Sequence, residues 1–373
     1  MIIGFEAKRV FQNSSGLGNY SRNTISLLAR HYPDNRLKLF APKLTNLYQL
    51  PDSAEIILPE TFLSKYFGSY WRLYQTTQLL KCHQIDLFHG LSHVLPFGIE
   101  KTGIPSVVTV HDLIFLRFPQ FYKKVDRELY QAIYRSSCNR ATKIIAISHQ
   151  TKDDIVRFYG IDPDKIVVVY QSCHLSFYGK VTDTQKSAVR LKFGLPESFL
   201  LCVGTIEKRK NQLGILKALA KVKCTTTIVL LGRATDYKEE LDLFIRESGL
   251  NEHVIFLHNS STDELQAIYQ MAEAMVYPSY FEGFGLPVLE AQASGCPVIT
   301  SNISSLPEAG GDGALYVDPE NDSEIGEAVL KILSDKKFKA ELIHKGIKNA
   351  ARFSDKVVAA NLMEVYRKVA KMR

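Results

Sequence analysis

None of the six cysteines (Cys82, Cys138, Cys173, Cys202, Cys224, Cys296) stands in a C-x-x-C pair. Thiols scattered through 373 residues argue against a disulfide framework or a zinc ribbon and fit a reducing, cytosolic setting. No stretch approaches the about 18 consecutive apolar residues of a membrane span. The first residues, Met1-Ile2-Ile3-Gly4-Phe5-Glu6, lack a basic leader, a long apolar region and a small-residue cleavage site. They read as a first strand and not as a signal peptide. Repeats with a period of roughly 20–50 residues and low-complexity tracts are also missing. Charge decides little: a net +7 suits an anionic ligand, an anionic membrane surface or nucleic acid equally.

The sequence does have the composition of a globular protein, 46% apolar and 23% charged, and the length for two domains of ordinary size. Apolar runs that read as strands recur at 37–41, 55–58, 85–89, 106–110, 143–147 and 166–170, with helical patterns at 69–83, 123–140 and 149–159. A second series follows at 199–203, 226–231, 253–257, 274–277, 297–300 and 314–317, and the chain closes in helices at 322–333, 337–351 and 355–369. Alternation of this kind predicts an α/β architecture of two doubly wound parallel-sheet, Rossmann-like domains with a cleft between them. Residues 1–175 form the first domain and 190–352 the second. The polar stretch Lys180–Lys186 is the expected linker, and the closing amphipathic helix, 355–373, is expected to cross back to the first domain.

In such folds functional groups gather at the carboxyl ends of strands. The most informative stretch is Tyr277-Pro278-Ser279-Tyr280-Phe281-Glu282-Gly283-Phe284-Gly285-Leu286-Pro287-Val288-Leu289-Glu290. It reads as a strand end, a loop with two glycines, and a helix with Pro287 as its first residue. A helix mouth with uncapped amides attracts anions, phosphate above all. The carboxylates Glu282 and Glu290 would address neutral hydroxyls on either side of that anion. Arg209 and Lys210 follow the strand at 199–203 and supply the matching cations, a forked guanidinium and a point charge. Gly16 and Gly18 lie between the first strand and a helix read as Ser21–His31, where bare backbone can approach a ligand. His89 and His111 close two strands, and a ligand-facing role is expected more of His111 than of His89. Phe62, Tyr66, Phe67, Tyr70, Trp71 and Tyr74 fall at helical spacing, for which packing is the expected role. The segment 115–124 mixes aromatic and basic residues; it is expected to fold its aromatics inward and solvate its lysines, with contact to a lipid interface or to a phosphate-bearing acceptor as the alternatives. Asp162-Pro163-Asp164 precedes a strand and reads as a turn, and no metal is required where cations already face a diphosphate.

Glu282 and Glu290, with Gly283-Phe284-Gly285-Leu286-Pro287 between them, resemble the E-x7-E motif of the retaining GT-B glycosyltransferases of family four, the glycosyl transferases group one. Gly16-Leu17-Gly18-Asn19-Tyr20-Ser21-Arg22, Val110-His111-Asp112-Leu113, Ile145–Ser148, Val203–Asn211 and Ser305-Leu306-Pro307-Glu308 extend the similarity along nearly the whole chain. The glycine loop and the Glu207–Asn211 run look most like bacterial mannosyltransferases of O-antigen and capsule synthesis. The resemblance implies a nucleotide-diphosphate sugar held mainly by the second domain. Arg209 and Lys210 would neutralise the diphosphate, Glu290 would bind ribose, and Glu282 would lie near the transferred sugar. Backbone around Phe284, Gly285 and Leu286 would contact sugar or phosphate, Gly16 and Gly18 would approach the diphosphate, and His111 would face the sugar. It further implies GDP-mannose as the first donor, with UDP-glucose or UDP-galactose next, a glycan or lipid-linked acceptor, no cofactor, no metal and no nucleic acid. The base would be chosen around Gly232-Arg233 and His258-Asn259. The expected setting is cytoplasmic, with peripheral contact at the inner face of the membrane left open. A phosphorylase or epimerase on the same fold, and a non-enzymatic anion-binding protein, are the other readings. Two departures stand out: Thr205 where many members carry arginine, and Gln171-Ser172-Cys173 in place of an Asn-Gly.

Overall fold

The computed structural model describes residues 1–60 and 66–372. The chain divides into two compact units, residues 1–171 together with the C-terminal helix from Asp355, and residues 172–354. The polar stretch at 180–186 is not a linker: Thr182 caps a helix at Asp183–Phe193 through a reciprocal box with Gln185, inside the second unit.

The first unit is built on seven strands, β1 (Ile2–Glu6), β2 (Arg36–Phe40), β3 (Ala54–Ile57), β4 (Leu87–Gly90), β5 (Ser106–Val110), β6 (Lys143–Ala146) and β7 (Ile166–Val168). They lie in the order β3-β2-β1-β4-β5-β6-β7, every pair parallel. The second unit holds β8 (Phe199–Val203), β9 (Thr227–Leu231), β10 (Val254–Leu257), β11 (Ala274–Tyr277), β12 (Val298–Ser301) and β13 (Ala314–Val317), ordered β10-β9-β8-β11-β12-β13 and again parallel. A parallel sheet is covered on both faces, so its central strands must be apolar throughout. Accordingly all five residues of β5 and all five of β8 are buried. Strand order reverses between β1 and β4 in one sheet and between β8 and β11 in the other. Crevices at such reversals, outside the carboxyl ends, are where open α/β sheets bind ligands.

Four helices matter below: α1 (Gly16–His31), α2 (Gln212–Lys221), α3 (Leu286–Ala293) and α4 (Asp355–Ala370). Helix α4 sends Val358, Ala359, Leu362, Met363, Val365, Tyr366 and Val369 into the core that also holds Ile3, Phe5, Ile25 and Leu28. Each larger side chain so buried contributes about 1.5–3 kcal/mol. The helix is also pinned by a polar contact, Tyr366 Oη to His89 Nδ1 at 2.6 Å.

Three local expectations change. Helix α1 begins at Gly16 and not at Ser21, so the glycine pair forms its first turn. Asn13 explains the early start: its Oδ1 accepts from the amides of Ser15 and Gly18, each at 3.0 Å. In the aromatic stripe only Trp71 is buried, whereas Tyr66, Phe67, Tyr70 and Tyr74 are exposed; Phe62 lies outside the described residues. In the 115–124 segment Phe115 is buried as expected, but Phe121 and Tyr122 face solvent. Asp162-Pro163-Asp164 is a capped turn leading into β7, with Asp162 Oδ1 accepting from the Asp164 amide.

Candidate functional site

In the second unit the loops after β8 and β11 meet at the strand-order reversal. Lys208–Lys210 form a single 3-10 turn, and Asn211, in the left-handed conformation, opens α2 with its side chain accepting from Gly214 N. The Tyr280 amide donates to Arg209 O at 2.9 Å and locks this turn to the β11 loop. Gly204 stands at φ +131°, a conformation glycine adopts without strain, and the Lys210 stem packs against it.

Both cations point at one carboxylate. Lys210 Nζ donates to Glu282 Oε1 at 2.6 Å, and Arg209 Nη1 lies 3.0 Å from the same oxygen. The Tyr277 hydroxyl, at the end of β11, donates to it at 2.9 Å and Ser279 Oγ at 2.7 Å. Burial pushes the Glu282 carboxyl up, but Arg209 and Lys210 more than reverse this and hold it at about 2. Burial draws Lys210 down, while Glu282 opposes the loss of its charge. The Glu282 backbone is clamped as firmly: its amide donates to Ser304 Oγ at 3.1 Å, and its carbonyl accepts from Ser304 Oγ and Ser305 Oγ, both at 2.8 Å.

Helix α3 starts beside this cluster. Gly285 is its N-cap at φ +105°, a conformation glycine adopts without strain, and no side chain caps the first turn. Leu286 is therefore the first helical residue and Pro287 the second. Phe284 buries its ring against Phe353, centroids 5.5 Å apart, so its backbone and not its side chain is what the loop can present. One turn into α3, Glu290 accepts from the Tyr269 hydroxyl at 3.2 Å. Burial raises its carboxyl to about 7, against the lowering by Tyr269. The two carboxylates of the motif are thus shifted in opposite directions from the ordinary value.

In the first unit His111 is buried and donates Nε2–H to Leu91 O at 2.9 Å, which leaves Nδ1 as the acceptor. Burial lowers it to about 4, so it is a neutral imidazole near pH 7. Tyr20 of α1 meets its ring edge to face at 4.5 Å. His89 is fully buried and bonded on both nitrogens, to Tyr366 and to Thr109 at 2.8 Å, so it holds the fold and does not face a ligand. Gly16 and Gly18 differ. A Cβ at Gly18 would stand 1.8 Å from Asn13 O, whereas one at Gly16 would meet nothing within 4 Å. Gly18 is required by packing, and Gly16 is the glycine left bare.

Sequence reasoning gave no role to Tyr277, Ser279, Ser304 or Tyr269, which hold the two carboxylates. Tyr277 and Ser279 flank the loop and could have been found there. Ser304 and Tyr269 come from elements whose approach only the fold reveals. Among the described residues no group of three or more His, Cys, Asp or Glu side chains is arranged to hold a metal ion, and no helix is long and apolar enough to cross a membrane. None of the six cysteines is in a disulfide.

Residues 183–350 match the family described as glycosyl transferases group 1, and residues 15–176 match glycosyltransferase family 4. RfbU of Salmonella typhimurium, an O-antigen chain mannosyltransferase, is 30% identical over 267 residues, covering 72% of this chain and 70% of its own. The chain belongs to the glycosyl transferases group 1. O-antigen chain mannosyltransferase B of Escherichia coli is 28% identical over 372 residues, 95% of this chain and 96% of the relative. Among solved structures, HepE of Anabaena with UDP and glucose shares the fold at a TM-score of 0.76 and 19% identity, covering 99% of this chain and 100% of that one. The two Rossmann-like units are those of a GT-B glycosyltransferase.

Proposed function

We propose that this glycosyltransferase moves mannose from GDP-mannose to a hydroxyl of a growing glycan or glycolipid, with retention of anomeric configuration, in polysaccharide synthesis. The observation that carries the reading is the convergence of Arg209 and Lys210 beside the uncapped mouth of α3. Two cations and a helix N-terminus form a seat for a diphosphate leaving group. Mannose is favoured over glucose or galactose because the E. coli and Salmonella relatives are mannosyltransferases.

In this reading Arg209, Lys210 and the amides around Phe284, Gly285 and Leu286 take the diphosphate as it departs. Glu290 binds the ribose hydroxyls, the bare backbone at Gly16 approaches the phosphates, and His111 accepts a hydrogen bond from the sugar through Nδ1. Glu282 is a poor nucleophile, because four donors share its Oε1 and its carboxyl sits at about 2. Its work is to hold the two cations in the ligand-free chain and then release part of their charge to the diphosphate. A same-face displacement through an oxocarbenium-like state needs no enzyme nucleophile, only positioning and charge stabilisation. A panel of nucleotide sugars read by thermal shift tests this: GDP-mannose is expected to raise the melting temperature most. No shift with any nucleotide sugar would sink the proposal, and a larger one with UDP-glucose would move it to that donor.

Contact with the membrane surface is a second part of the proposal. Val125 and Leu129 are exposed four residues apart in the first turns of the helix Lys124–Arg140, with exposed Phe121 in the turn before it and Lys123, Lys124 and Arg127 beside them. Apolar side chains flanked by cations suit anionic lipid headgroups. Co-sedimentation with phosphatidylglycerol vesicles should fall when Val125 and Leu129 are both changed to Asp. Equal sedimentation of the two proteins would remove this part.

A further inference from the structure

The first sheet has its own strand-order reversal, between β1 and β4, and the side chains around it are unusual. Glu6 ends β1, Lys8 and Arg9 follow it, His93 follows β4, and Arg72 and Tyr134 reach in from helical segments. His93 is 4% exposed, and its Nδ1 has no hydrogen-bond partner among the described residues. Its ring stacks on Tyr134 at 4.4 Å and lies 5.2 Å from His111. The backbone that places it is strained: His93 has φ +64°, held by its amide donating to Thr109 O at 2.8 Å. Gly90 lets this turn close, since a Cβ there would stand 2.1 Å from Val94 O.

The cations in this cluster are short of partners. Among the described residues Nε of Arg9 and Nε of Arg72 are both buried without an acceptor. Arg72 reaches Glu6 only at 3.7 Å, an ion pair beyond hydrogen-bond length. Burial, then Arg72, then Arg9 lower the Lys8 ammonium, so the three cations act on one another with Glu6 as the near carboxylate. Glu6 Oε2 is itself buried with no donor among the described residues. Buried polar groups in folded proteins nearly always have partners, and here donors and one acceptor stand unsatisfied at a crevice built to receive a ligand. The donors call for an oxyanion and the free carboxylate oxygen for a hydroxyl.

We infer that this crevice binds the acceptor through a phosphate group, with Arg9, Arg72 and His93 on the phosphate and Glu6 on a neighbouring sugar hydroxyl. The inference rests on the sugar-transfer reading for the word acceptor; the phosphate site itself does not. The phosphate could belong to a sugar phosphate or to the diphosphate of a lipid-linked glycan, and the two make the same contacts.

The test uses the full chain carrying Lys210→Ala, which silences the anion seat of the second unit. Inorganic phosphate titrated by calorimetry near pH 7 should still bind, and adding Arg9→Gln or Arg72→Gln should weaken it about tenfold, the loss of one charge-assisted contact. Thermal unfolding of each variant, and Arg9→Lys as the milder change, separate a lost contact from a lost fold. Competition by mannose 1-phosphate and by a short-chain alkyl diphosphate identifies the source, as the tighter competitor. In transfer assays with Lys210 intact, Arg9→Gln should raise the acceptor KM and leave the donor KM unchanged. Absence of phosphate binding in the Lys210→Ala chain, or equal binding after both arginine changes in folded protein, would overturn the inference. Arginine-dependent phosphate binding in a chain that transfers no sugar would uphold the site and remove only the transferase reading.

Discussion

Lys210 and Glu282 meet at 2.6 Å, Nζ to Oε1, across 72 residues of sequence. They do so because β8 and β11 are neighbours at the point where strand order reverses, so the loops that follow them share one crevice. Removing either partner leaves buried charge behind. Lys210→Ala still leaves Arg209 against Glu282, so the fold should survive while transfer is abolished. Full activity in a chain that unfolds at the normal temperature would overturn the site assignment.

Glu282→Gln should separate stability from ligand binding. It leaves Lys210 buried without its near counter-charge while Arg209 keeps its ion pair with Glu207, a loss of about 3–5 kcal/mol for a broken buried pair. The same change removes the carboxylate that competes with a diphosphate for those cations. GDP should therefore raise the melting temperature of the variant more than that of the parent chain, even as transfer falls. A smaller rise in the variant would show that Glu282 does not compete with the ligand.

Glu290 should make donor binding depend on pH. Its carboxyl stands at about 7 in the folded chain, raised by burial from an ordinary value near 4.5. An ionised carboxylate accepts from two ribose hydroxyls better than a protonated one, so donor affinity should fall as pH drops from 8 to 6. Glu290→Gln should flatten that profile at the lower level. For stability the sign is the opposite. A raised carboxyl stabilises the fold fully below pH 4.5, and this contribution is lost as pH rises through about 7. At pH 8 Glu290→Gln should therefore be more stable than the parent, by up to about 3 kcal/mol. Equal unfolding free energies at pH 8 would place the carboxyl near its ordinary value.

Much of the scaffold could be read directly from residue types. Runs such as Phe199–Val203 and Ala274–Tyr277 are apolar on both faces because a central parallel strand is covered on both, and they match the observed strands end for end. What stayed hidden depended on distant partners. The first turn of α1 contains two poor helix formers, and the Asn13 side chain that organises it lies outside the helical pattern. Ser304 supports Glu282 from 22 residues away, a contact that no spacing rule encodes. His93 escaped notice because its importance comes from a left-handed backbone and a missing partner, neither of which shows in a residue letter. The exposed Tyr66, Phe67, Tyr70 and Tyr74 show the reverse limit: helical spacing marks a face but not whether anything covers it.

The contact between Tyr366 and His89 should carry a measurable share of the first unit's stability. Tyr366→Phe keeps the ring in the core and deletes the hydroxyl, leaving His89 Nδ1 buried without a partner. The cost of one buried unsatisfied group is about 1–3 kcal/mol. Denaturant unfolding should detect it, and an unchanged midpoint would show that this hydrogen bond adds nothing to the apolar packing and the Arg30–Asp355 ion pair that hold the C-terminal helix.

Gly16 and Gly18 offer a cleaner separation of packing from function. At Gly18 an added methyl would strike the backbone carbonyl of Asn13, which cannot move without undoing the hydrogen bonds from Ser15 and Gly18 that start α1. Gly18→Ala should therefore destabilise the chain, by about 1–3 kcal/mol as for other overpacked sites. At Gly16 the methyl enters open space, and alanine is the better helix former by up to about 1 kcal/mol. Gly16→Ala should then leave stability unchanged or slightly raised. If Gly16 is bare because a diphosphate approaches it, the same variant should lose at least tenfold in kcat/KM for the donor, about 1.4 kcal/mol of transition-state binding. A stable Gly16→Ala chain with full activity would show that the bare backbone there touches no substrate.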